Sequence, residues 1–131
     1  MNPHSEKMLT LAAMWVLSFF LLGLIWYSTS LPGKDLPREN DTIGLISSSM
    51  GHFIGFGLFS ACLYSALRIR QLTGRFVIVL IVGSILAITT EVHQRSIPGR
   101  DADIIDVILD LLGSTVGTVG AYKYWLLSQG G

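Results

Sequence analysis

The sequence predicts an all-α integral membrane protein built as a bundle of about four transmembrane helices. Two observations carry that prediction. Half of the 131 residues are hydrophobic and only 14% are charged, against about 25% charged in an ordinary soluble domain; mean hydropathy is +0.57. The charges are also unevenly spread and leave long apolar gaps. The chain length fits one domain, taken here as residues 1–131. Nine acids balance nine bases, which argues against a basic nucleic-acid binder. A single cysteine, Cys62, excludes a disulfide framework and a multi-Cys metal site.

A bilayer core about 30 Å thick needs about 20 helical residues. Lys7 and Lys34 bracket 26 uncharged residues, and Asp41 and Arg68 bracket another 26. The first span is expected at about 8–27, closing on the interfacial pair Trp26-Tyr27. Its apolar run is too long for a signal-peptide core and no A-x-A site follows, so it is read as an uncleaved helix. The second span is expected at about 46–67. Arg75 and Glu91 bracket only 15 uncharged residues, which reach about 22 Å as a helix. The third helix, at 76–91, is therefore either short and re-entrant or draws Glu91 towards the membrane. Asp110 and Lys123 bracket only 12, about 18 Å. A full fourth span, about 103–123, must carry Asp106 and Asp110 within it.

The connections carry loop chemistry: Pro32-Gly33, Pro37 and Asn40-Asp41 in the first, Gly74 in a tight turn from Arg68 to Arg75, and Ile97-Pro98-Gly99 in the third. Asn40-Asp41-Thr42 matches a glycosylation acceptor, a pattern common by chance. Lys7, Arg68, Arg70, Arg75 and Lys123 fall on one side of a four-span chain. Lys34, Arg38, Arg95 and Arg100 fall on the other, diluted by acids. The positive-inside rule then puts both termini in the cytoplasm.

Ionisable groups inside a span are costly and are functional candidates by default. Asp103, Asp106, Asp110, Gly113 and Gly117 follow steps of three and four, so they share one helix face. Ile105, Leu109 and Leu112 lie opposite, free to meet lipid. Asp101 and Asp103 suit a helix N-cap; Asp106 and Asp110 lie too deep for one. Glu91 and Gln94 share a face at the end of the third helix, while His93 points elsewhere and reads as an interfacial histidine. His52 lies on the second helix beside Ser49 and Phe56. Gly113-x-x-x-Gly117 and Gly51-x-x-x-Gly55 suit close helix packing. His52, Glu91, Asp106 and Asp110 could ligate a cation, but no metal-binding spacing is present, and no metal or cofactor is expected. Ser47-Ser48-Ser49 with His52 and Glu91 could be drawn as a triad. No G-x-S-x-G elbow supports it, and such hydroxyls suit helix caps.

These residues resemble the VanZ-like membrane protein family. Gly51-His52-Phe53 is similar to the family's K-x-x-H-F segment. Glu91-x-x-Gln94, Pro98-Gly99-Arg100, Asp103-x-x-Asp106 and Asp110-x-x-Gly113-x-x-x-Gly117 follow its E-x-x-Q, P-G-R, D-x-x-D and N-x-x-G-x-x-x-G pattern in order. The match is dense over the second half of the chain and loose over the first. Asp110 replaces the usual Asn, and Ser49 replaces a residue that is often charged. The resemblance implies a multi-pass protein of the bacterial plasma membrane and an association with teicoplanin resistance. It implies no reaction.

Three readings of the polar residues follow. In the first, the protein binds an anionic envelope lipid or lipid-linked precursor. Arg100 contacts a phosphate with help from backbone N–H groups at the start of the fourth helix, while His52, Glu91 and Asp106 hold Arg100 and carry protons. In the second, the protein is an intramembrane enzyme on such a lipid, with Glu91 or His52 as base; the chain offers no defensible nucleophile, so binding is favoured over catalysis. In the third, Glu91, Arg100, Asp103 and Asp106 clamp two helices across Pro98-Gly99. Membrane lipids are the expected surroundings, and a homo-oligomer through the glycine faces is a further expectation.

Overall fold

A computed structural model describes residues 2–32, 42–69, 71–100 and 103–129. They form four helices, α1 (Pro3–Thr29), α2 (Thr42–Ala66), α3 (Leu72–Gln94) and α4 (Ile104–Gln129). The residues expected as loop at 33–41, with Arg70, Asp101 and the two final glycines, lie outside the described residues, as do the side chains of Ser47 and Ser48.

The bundle is apolar outside and partly polar inside, as a protein solvated by lipid should be. Phe19 and Phe20 of α1, Ile85 and Ile88 of α3, and Ile105 and Leu112 of α4 all face outward. The interior combines Phe56, Phe59, Tyr64, Val79 and Ala87 with buried Ser60, Thr90, Ser114 and Thr118. Two of these hydroxyls bond back to their own helix, Thr90 to the Leu86 and Ala87 carbonyls at 3.0 Å and Thr118 to the Ser114 carbonyl at 2.7 Å; those of Ser60 and Ser114 have no hydrogen-bond partner among the described residues. Among the described residues α1, α3 and α4 are each long and apolar enough to cross a membrane. α2 has 25 residues, is laced with Ser and Gly, and packs most extensively on α4 and then on α1.

α3 is longer than the charge gaps suggest. It begins at Leu72 and takes Gly74 and Arg75 into its first turn, so no tight turn runs to Arg75. Arg75 is buried. Its guanidinium lies 5.0 Å from the Tyr64 ring centroid and 5.9 Å from that of Trp125, and it donates to the Ile69 carbonyl at 2.8 Å. An arginine held by aromatic faces and a carbonyl need not end a helix. The helix also continues through Glu91 to Gln94, giving 23 residues, about 34 Å. A short re-entrant segment is therefore not what forms. α4 likewise runs past Lys123, which is exposed, to Gln129.

Arg68 reaches the Lys7 carbonyl, and Arg75 stands over Trp125. The start of α1, the α2–α3 turn and the end of α4 therefore share one end of the bundle. The intramembrane polar residues gather at the other.

Candidate functional site

The α4 face that meets α2 starts with carboxylates and ends with glycines. His52 of α2 is caught between two carboxylates one turn apart on α4. Its Nδ1 donates to Asp110 Oδ1 at 2.9 Å, and its Nε2 lies 3.6 Å from Asp106 Oδ2. Asp110 has no solvent exposure. Asp103 leaves this face: its carboxylate accepts from the Ile105 N–H at 2.9 Å and caps α4, as an Asp before a helix commonly does.

At Gly113 and Gly117 the same face has no room for side chains. A Cβ on Gly113 would overlap the Phe53 carbonyl oxygen, and one on Gly117 the Gly57 carbonyl oxygen. On α2 this contact is thus made at Phe53 and Gly57, while the Gly51-x-x-x-Gly55 pair, expected to pack closely, lies elsewhere. Gly51 faces open space, and Gly55 lies against Ile25 of α1. Spacing alone could not choose among three glycines within seven residues.

The end of α3 supplies the other half of the site. Pro98-Gly99 forms the turn that closes it, with the Arg100 N–H on the Ile97 carbonyl at 3.2 Å. Gly99 has φ 76, a left-handed backbone that the third position of a type II turn requires. The turn folds Arg100 back over the helix end. Its Nη2 donates to Gln94 Oε1 at 3.0 Å and its Nη1 to the Ser28 carbonyl of α1 at 3.2 Å.

This corrects the expectation that Glu91, Asp106 and His52 hold Arg100; of the clamp expected across Pro98-Gly99, the link that forms runs from Glu91 to the Asp103 backbone. Glu91 Oε1 accepts from the Asp103 N–H, and Asp106 and Asp110 are engaged by His52. The acceptors that the guanidinium meets among the described residues are neutral. Among the described residues the ion pairs are those of His52 with Asp106 and Asp110. The start of α4 also offers an anion less than expected, because the N–H groups of Asp103, Ile105 and Asp106 are already bonded.

His93 is not simply an interfacial side chain. Its ring stacks on Trp26 with centroids 4.7 Å apart, and Nε2 lies 3.0 Å from Ser30 Oγ, tying α1 to α3. Ser28, Ser30 and Trp26 therefore belong to the site and were missed in sequence. The only signal was their place at the end of the first apolar run.

Three buried atoms here have no hydrogen-bond partner among the described residues: Glu91 Oε2, Gln94 Nε2 and Asp110 Oδ2. Buried polar atoms are normally paired, so the site has spare bonding capacity for a polar guest. Among the described residues no three or more His, Cys, Asp or Glu side chains are grouped so as to hold a metal ion.

Four helices with an apolar exterior and a buried imidazole–carboxylate–amide cluster at one end, with the half-buried Arg100 guanidinium beside it, define a multi-pass membrane protein with a polar site. The family model described as VanZ/LLP1 matches residues 9–127, and the chain belongs to that family. Comparison with curated proteins and with solved structures finds no match.

Proposed function

We propose that this VanZ-like protein binds the anionic headgroup of an envelope lipid or lipid-linked precursor, with Arg100 as the contacting group. One observation carries the reading. Arg100 is partly exposed and, among the described residues, donates only to the neutral oxygens of Gln94 and Ser28. A guanidinium has five N–H donors, and its charge favours phosphate or carboxylate in directed, paired bonds. Gln94 Nε2, buried and without a partner, adds a neutral donor beside it. The acids of the site, turned to His52 and the α4 backbone, form no ion pair with Arg100 among the described residues. This reading places the site at the outer face of the bacterial plasma membrane, with Lys7, Arg68 and Lys123 at the cytoplasmic end.

A structural reading has its own support. Gln94 and Asp110 are almost wholly buried; Gln94 is tied through Arg100 to Ser28 of α1, and Asp110 ties α4 to His52 of α2. Thermal unfolding in neutral detergent, with and without a polyprenyl phosphate, separates the two. A ligand that binds only the folded state raises the midpoint. The expected result is a rise in the wild type and none in a folded Arg100→Gln. No rise in the wild type, together with early melting of Arg100→Gln, would overturn the binding reading in favour of a clamp. If the lipid is a cell-wall precursor, cells carrying the wild-type chain tolerate more teicoplanin than cells carrying Arg100→Gln.

A further inference from the structure

We infer that the open groove between α1 and α3 holds the hydrocarbon chain of the lipid whose anionic headgroup meets Arg100. This rests on the headgroup reading above and adds a second, separate part to the site. The groove has a volume of about 660 Å³ and is lined by Phe19, Leu22, Gly23, Trp26, Tyr27 and Ser30 of α1 and Leu86 of α3. The α1 residues recur at steps of three and four, so one helix face forms the wall, about 16 Å long from Phe19 to Ser30. The lining is apolar until Ser30. α1 and α3 touch little, α1 resting mainly on α2. Gly23 helps keep the groove open: a Cβ built there meets nothing within 4 Å.

The upper end of the groove is continuous with the polar site. Trp26 lines the groove and stacks on His93. Ser30 lines it and bonds His93. Between them in sequence, the Ser28 carbonyl holds Arg100. One stretch of α1, Trp26 to Ser30, thus ends the groove and carries the guanidinium on its backbone. A free small anion would use Arg100 and leave the groove empty. A neutral lipid would use the groove and leave the charge unmet. The occupant that satisfies both is an amphiphile with one long chain seated along α1 and a phosphate at its head.

The test compares two phosphates that differ in chain length, farnesyl phosphate and the short, water-soluble dimethylallyl phosphate. Binding is measured to protein in phosphatidylcholine nanodiscs. Gly23→Phe fills the groove from a position with free space, and Leu86→Trp fills it from the other wall. Both are expected to weaken farnesyl phosphate binding about tenfold or more, a readily resolved difference, and to leave dimethylallyl phosphate binding unchanged. Arg100→Gln is expected to weaken both. Unchanged farnesyl phosphate affinity in a folded Gly23→Phe and in Leu86→Trp would overturn the groove assignment while leaving the headgroup reading intact. Unchanged affinity for both phosphates in Arg100→Gln would overturn the headgroup reading, and this inference with it. Anionic phosphatidylglycerol competing as well as farnesyl phosphate would identify the chain as that of an ordinary membrane lipid and support the groove on a different source.

Discussion

Asp110 stands where the resembled pattern carries Asn, and its geometry explains why either residue suits the position. The bond that matters is the one from His52 Nδ1 to a single side-chain oxygen; an amide oxygen accepts it as well as a carboxylate does. Asp110→Asn is therefore expected to melt close to the wild type. Asp110→Leu strips His52 of its acceptor inside the bundle and is expected to cost about 1–3 kcal/mol, read as a lower midpoint in detergent. Equal midpoints for the two variants would show that the His52 bond does not hold the helices. At this scale the sequence was informative about identity and poor about pairing. His52, Glu91, Gln94, Arg100, Asp106 and Asp110 stand out because polar groups are rare in apolar spans. Which oxygen Arg100 would find depended on where Pro98-Gly99 aimed it, and a backbone carbonyl such as that of Ser28 leaves no mark in a sequence.

Between elements, the contact of α2 with α4 is backbone against backbone. Gly117 faces the Gly57 carbonyl so closely that even a methyl group overlaps it, whereas Gly120 looks into open space. Gly117→Ala is expected to lower stability by about 1–3 kcal/mol, the range for overpacking. Gly120→Ala should be neutral or slightly stabilising, since Ala has the higher helix propensity. Comparable midpoints for both variants would contradict the close packing. The faces of α4 were legible because a period of 3.6 residues fixes them. The helix ends were not, because charge gaps stand in for helix length only when charges stay outside. Arg75 shows why they need not: two aromatic rings and a carbonyl take the place of water.

The whole molecule segregates its polarity, with aromatic-held Arg75 at one end and the His52–Arg100 cluster at the other. Since Arg75 is enclosed by the bundle, the proposed orientation leans on Lys7, Arg68 and Lys123 at the same end. In a Cys62→Ala background, a membrane-impermeant maleimide is expected to label Ser96→Cys in intact cells and Ser128→Cys only after permeabilisation; both positions are exposed. The opposite pattern would invert the topology and place the polar cluster towards the cytoplasm. The four-helix fold was readable from apolar run lengths. The groove between α1 and α3 was not, since it arises from how far apart two helices settle.

The pairing of α2 with α4 also bears on how the chain is made. His52 and Asp110 are 58 residues apart in the chain, so at synthesis rates of about 5–20 residues per second the histidine waits roughly 3–12 s for its partner. During that interval α2 reaches the translocon with an imidazole and no carboxylate, flanked only by α1 and the nascent α3. The bond that fixes α2 to α4 is thus among the last side-chain contacts that the growing chain can make.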